Sequence, residues 1–206
     1  MEAKSAKTRR SQEQRRMESE ERLLTAAAEV MVAEGFAATT FEKIGQRAGY
    51  SHGLVTQRFG SKDGLILALI DYLSGQMDAR YEDLLKHAAT PVDELAGYLD
   101  VLISQVLEDP LAEAYFVMMS AAIANRLPQK DVFLASHERM RVRFADSIRR
   151  AQDAGLMSPE LDPDATALAF GCVQLGFAVQ LLLNSDLDPS PIATTIKQAM
   201  TALSQK

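Results

Sequence analysis

Chemistry-bearing residues are scarce in this chain of 206 residues. A single cysteine, Cys172, excludes an intrachain disulfide framework and a zinc site built from several thiolates. There are three histidines, far apart and without an HExxH pair, so no metal site is expected. No tryptophan is present. No GxxxxGK phosphate loop, spaced nucleophile–base pair or singled-out pair of carboxylates occurs, so neither catalytic residues nor a cofactor are expected. No uninterrupted run of 18 apolar residues is found, and the basic N-terminus is not followed by an apolar stretch. A chain that neither spans a membrane nor carries a secretory signal is expected, and hence a cytoplasmic protein. Alternating strand patterns are almost absent too.

What is present is helical periodicity and an uneven charge. The net charge of −6 argues, taken whole, against nucleic acid as a partner. By region the sign changes. Residues 1–66 carry 11 Lys/Arg and 9 Asp/Glu, whereas residues 67–206 carry 11 and 19. The first 16 residues hold six cations (Lys4, Lys7, Arg9, Arg10, Arg15 and Arg16) against Glu2 and Glu13. They have too little apolar surface to order themselves, which predicts a basic arm over residues 1–18, either solvated or following DNA.

The 3.6-residue period predicts an all-α chain of nine or ten helices. The first runs from about Ser19 to Glu34, with Gly35 as its stop. Thr39 or Thr40 caps a helix over Phe41 to Ala48. Gly49 turns the chain, and a second short helix runs from near Ser51 to Phe59. A long helix begins at Lys62 and reaches at least Leu85. Further helices are expected over about 91–107, 110–124, 129–154, 163–183 and 191–203, each marked by Pro, Asp-Pro or Gly.

Two short helices joined by a glycine have helix-turn-helix spacing. Phe41, Ile44, Ala48, Tyr50 and Val55 can lock the pair. Ser51, His52, Gly53, Thr56 and Gln57 then face outward, short or hydrogen-bonding side chains suited to base edges in a major groove. Thr40, Lys43, Arg58 and Lys62 flank that face as expected phosphate contacts. Residues 35–65 read GFAATTFEKIGQRAGYSHGLVTQRFGSKDGL. This string resembles the DNA-binding domain of TetR-type transcriptional repressors. The family pattern I-A-x-x-A-G-V-S-x-G-x-x-Y-x-H-F-x-S-K-x-x-L is matched in register by Ile44, Ala48-Gly49, Ser51, Gly53, Phe59, Ser61-Lys62 and Leu65. Gly45 replaces the usual Ala, which is expected to loosen its helix. Tyr50 replaces Val, Thr56 replaces Tyr, and Arg58 replaces His. The resemblance by motif covers about residues 20–66.

The resemblance implies a DNA-binding domain over 19–66 and a helical ligand-binding and dimerisation domain over 67–206. It implies a homodimer that holds a double-stranded, palindromic operator and is released by a small molecule. In the family the last two long helices pair between subunits. Here that points to Gly171, Leu175, Ala178, Leu182, Ile192, Ile196 and Met200 as the seam. An ordinary intrachain core is the other reading of the same residues. Phe and Met are frequent in the acidic domain and adapt to apolar ligands. Phe116, Met119, Phe133, Met140, Phe144, Phe170 and Phe177 belong to this set. Polar groups on those faces (Asn125, His137, Gln174, Gln180) need partners when buried. Phe116, Met119, His137, Met140, Phe144, Gln174 and Phe177 are therefore the expected contacts of a hydrophobic effector. A repressor is the leading expectation. An activator of the same build, or a helical-bundle enzyme or carrier for a hydrophobic molecule, is the alternative.

Overall fold

A computed structural model describes residues 12–202. Among the described residues there are nine α-helices and no strand: α1 (Gln12–Glu34), α2 (Phe41–Ala48), α3 (His52–Phe59), α4 (Lys62–His87), α5 (Pro91–Glu108), α6 (Pro110–Ala124), α7 (Lys130–Asp153), α8 (Pro163–Leu183) and α9 (Pro189–Ala202). The chain divides after Leu69 into two compact units. Helix α4 supplies its first two turns to the first unit and the rest of its length to the second.

Capping chemistry fixes most boundaries. Thr40 accepts from Lys43 N–H at the start of α2, and Ser51 accepts from Leu54 N–H at the start of α3. Thr90, Asp109 and Asp162 cap α5, α6 and α8, each followed by a proline in the first turn, where its missing N–H costs nothing. Two boundaries differ from expectation. α1 starts by Gln12 rather than at Ser19, because residues 12–18 are all helix-compatible and Ser19, instead of capping, donates to the Arg16 carbonyl at 2.8 Å. The expected arm over 1–18 therefore loses its last seven residues to a helix; its remainder lies outside the described residues. α9 begins at Pro189 rather than Pro191, because Asp188 accepts from Ser190 N–H and so starts the helix earlier than supposed.

In the first unit Leu23, Ala27, Val30 and Met31 of α1 join Ile44, Val55, Leu65 and Leu69 in a dry core. The second unit is built on a ladder of aromatic rings. Tyr81 meets Tyr98, Tyr98 meets Phe144, and Phe144 meets Phe170, each at 4.9 Å between centroids and tilted edge to face. Leu95, Ile148 and Met157 fill around them. Beside this ladder Glu94 of α5 is buried, held by Arg150 Nη1 at 2.7 Å and Ser147 Oγ at 2.7 Å. Burial acts to raise the Glu94 carboxyl, but these two donors outweigh it and hold the pKa below the ordinary value.

Candidate nucleic-acid interface and ligand cavity

The α2–turn–α3 segment is set by two glycines. Gly49 takes a left-handed conformation (φ 76°), which ends α2 in a tight turn. Gly45 is buried where α3 enters: a Cβ there would lie 2.8 Å from the Tyr50 carbonyl oxygen and 3.3 Å from His52 N. Gly45 thus permits close helix approach rather than loosening α2, which corrects the expectation. Phe41 and His52 rings approach to 6.1 Å across the corner. Tyr50 lies half-buried under the Arg22 guanidinium, 5.6 Å from its ring centroid.

Ser51, His52, Gly53, Thr56 and Gln57 are all exposed. Gly53 leaves open space, with only Ser51 Oγ 3.8 Å from where a Cβ would stand. Thr56 Oγ1 donates back to the His52 carbonyl at 3.1 Å. Thr40 is exposed while capping α2. The flanking cations behave differently from the expectation that they stand ready for phosphates. Lys43 Nζ is 2.6 Å from Glu34 and donates to the Ala38 carbonyl. Arg58 is largely covered and donates to Glu20 and Ser19, both at 3.2 Å. Lys62 donates to the Phe36 carbonyl at 2.7 Å and sits 4.7 Å from the Phe36 ring centroid; burial lowers its pKa. The cause lies in α1 and the turn after it, whose acidic side chains and carbonyls offer the partners that these cations reach.

The second unit holds a cavity of about 220 Å³, partly open to solvent, between α4, α5, α6, α7 and α8. That exceeds the ~150 Å³ known to admit benzene in an apolar core. Phe116, His137, Met140, Phe144 and Gln174 line it. Met119 and Phe177 do not: Met119 is buried one turn beyond the α6 residues that line it, and Phe177 packs with Leu99, Leu181 and Ala193 toward α9. Asn125 and Gln180 are exposed, so neither needs a buried partner. Gln105, Ser74, Tyr81 and Tyr115 also line the wall, and nothing in the sequence reading singles them out. Gln105 was findable, since it continues the Leu95, Tyr98 and Leu102 stripe of α5 as a polar member.

Desolvation governs the wall's electrostatics. Burial lowers the His137 pKa and pushes the Tyr115 hydroxyl up to about 12, despite its hydrogen bond with Ser136. Tyr115 and His137 stack with centroids 6.3 Å apart. Arg141, at the rim, is taken up by Glu138 (2.6 and 2.8 Å) and by Asp164.

Helix α8 shows two faces. Ala178, expected in a seam between subunits, is fully buried within the chain, and Leu175 and Gly171 line the cavity. Ile196 and Met200 pack on the ring-ladder core, and Ile192 packs beside Phe177. Leu182 is half-buried. The outward face carries Val173, Gly176, Val179 and Leu183 instead, Leu183 being 76% exposed, while Cys172 is exposed at the cavity's edge. The helical phase of α8 is rotated from the one assumed, because Phe170, Gln174 and Phe177 turn inward together. α8 is long and apolar enough to cross a membrane by length and composition, with a third of its most apolar window buried in the chain. Among the described residues no group of three or more metal-ligating side chains occurs.

A helix-turn-helix head with an exposed, hydrogen-bonding second helix, followed by a helical unit, defines a DNA-binding transcriptional regulator. Residues 23–69 match the family described as bacterial regulatory proteins, tetR family. The HTH-type transcriptional repressor Rv3405c of Mycobacterium tuberculosis is 29% identical over 171 residues, covering 83% of this chain and 80% of that protein. The HTH-type transcriptional repressor KstR2 of Mycolicibacterium smegmatis is 26% identical over 142 residues, 69% of each chain. The solved SmeT–triclosan complex superposes with a TM-score of 0.75 at 26% identity, over 89% of this chain and 90% of the other. Residues 23–69 thus carry the DNA-binding domain of the tetR family, and the chain as a whole is similar to transcriptional regulators of that family rather than to enzymes.

Proposed function

We propose that this protein is a homodimeric, ligand-responsive repressor of the cytoplasm that binds a palindromic double-stranded operator and is released by a small hydrophobic effector. The observation that carries the reading is one continuous helix, α4. It leaves the helix-turn-helix head at Lys62 and lines the cavity of the second unit with Leu73, Ser74, Met77 and Tyr81. An effector that prefers one conformation of that wall has a covalent route to the head. Coupling of this kind is typically worth ~1–3 kcal/mol, and it requires tighter binding to the DNA-released state. The complex of SmeT with triclosan supports a lipophilic effector.

Two half-sites need two heads. The exposed apolar stripe of α8 supports pairing there, through Val173, Gly176, Val179 and Leu183. A Cβ added at Gly176 would meet nothing within 4 Å, so a partner helix has room to approach closely. The heads then read operator half-sites with Ser51, His52, Gly53, Thr56 and Gln57, with Thr40 at the flank. The test is a gel shift on DNA upstream of the protein's own gene. Binding at low salt that lipophilic compounds reverse is expected; no binding under those conditions overturns the reading. Transcription assays with that DNA distinguish repression from activation.

A further inference from the structure

The cavity wall is largely apolar, and some of its buried polar groups lack partners. Gln105 and Gln174 are 5% and 6% exposed, and both line the cavity. Gln105 Oε1, an acceptor, and Gln174 Nε2, a donor, are fully shielded and have no hydrogen-bond partner among the described residues; the same is true of Ser74 Oγ on the same wall. Buried amides are ordinarily satisfied, so each orphan here marks a place where a partner belongs. Water is one such partner. A ligand that supplies both an acceptor and a donor replaces it and gains the apolar contacts as well.

Charge narrows the class. Among the described lining residues Arg141 is the one permanently charged side chain, and two carboxylates already occupy its guanidinium. No carboxylate lines the wall, and His137 is kept from charging by its apolar surroundings. An ionised ligand would lose its hydration without gaining a counter-ion. A pure hydrocarbon would leave both glutamines unsatisfied.

We propose that the cavity recognises uncharged lipophilic alcohols and phenols, whose hydroxyl donates to Gln105 Oε1 and accepts from Gln174 Nε2, in preference to the matching hydrocarbon or carboxylate. This rests on the effector-cavity reading above. Aromatic walls from Tyr81, Tyr115, Phe116 and Phe144 favour a flat body.

The experiment is calorimetric titration of the full-length protein at neutral pH with 2-naphthol, naphthalene and 2-naphthoate. 2-Naphthol is expected to bind at least about tenfold more tightly than either analogue, the scale of one satisfied buried hydrogen bond. Gln105→Leu and Gln174→Leu are each expected to bring 2-naphthol close to the level of naphthalene, leave naphthalene unweakened and raise the melting temperature of the unliganded protein. Gln105→Asn keeps an amide of shorter reach, and serves if the leucine variants do not fold; it is expected to weaken 2-naphthol selectively. Equal binding of all three probes, or variants that leave the ranking unchanged, overturns the hydroxyl selectivity while the effector cavity stands. No saturable binding by any probe overturns both.

Discussion

Gly45 shows how one residue can reverse a propensity argument. In an open helix, alanine in place of glycine gains ~1 kcal/mol. Here the added methyl would meet the Tyr50 carbonyl oxygen at 2.8 Å, and overpacking of this kind costs ~1–3 kcal/mol. Gly45→Ala is therefore expected to lower the urea midpoint of the head rather than raise it, and to weaken operator binding. Lys62 and Gln57 separate in the same way. Lys62 staples the turn after α1 through the Phe36 carbonyl, so Lys62→Ala should lower the melting temperature and weaken all DNA sequences together. Gln57 is exposed, so Gln57→Ala should leave melting unchanged and relax base preference in a binding-site selection. His137 sets a pH term. Burial lowers its pKa, so above about pH 6.5 it is neutral both folded and unfolded. As pH falls through that value the unfolded chain takes up its proton first, and stability is lost until the folded pKa is passed. His137→Phe should flatten the fall in melting temperature between about pH 7 and pH 5.

At the scale of elements, helix phase decides what a sequence stripe means. α8 is apolar nearly all round, so its sequence alone cannot say which side faces the chain's own core. The fold turns Phe170, Gln174, Phe177, Ala178 and Leu181 inward and leaves Val173, Val179 and Leu183 outside. If the outward stripe is the subunit seam, Val173→Glu should yield monomers in sedimentation analysis and abolish operator binding while melting stays cooperative. A dimer unaffected by that charge would move the seam elsewhere. α1 makes a similar point about ends. Ser19 looks like an N-cap in sequence, yet it sits inside a helix that also carries Glu20, and Glu20 with Ser19 engages Arg58 of α3.

For the whole molecule, charge is the quantity that changes meaning. Residues 17–66 hold five Lys/Arg against seven Asp/Glu. Lys43, Arg47 and Arg58 are paired with Glu34, Glu29 and Glu20, Lys62 with backbone carbonyls, and Arg22 lies over Tyr50. The excess of positive charge that DNA phosphates could use therefore falls before residue 17. Deletion of residues 2–11 removes Lys4, Lys7, Arg9 and Arg10. It should weaken binding to every sequence and reduce the logarithmic salt slope by up to ~4, since each phosphate contact contributes ~0.9. An unchanged slope would mean that the exposed face of α3 carries binding without help from bulk charge.

The sequence by itself determined the helices, their punctuation and the head. Period 3.6, Gly49, Asp162-Pro163 and the register from Ile44 to Leu65 are local signals, and local hydrogen bonds and sterics enforce them. It also pointed to His137 and Gln174, because a polar residue inside an apolar stripe is visible without coordinates. Only the tertiary structure decided what each side chain meets. It closed the wall with Ser74, Gln105 and Tyr115 from three other helices, gave Arg58 a partner on α1 and Lys62 one just beyond it, and turned Ala178 inward. Such pairings join residues far apart in sequence, and they follow from how helices pack rather than from any spacing along the chain.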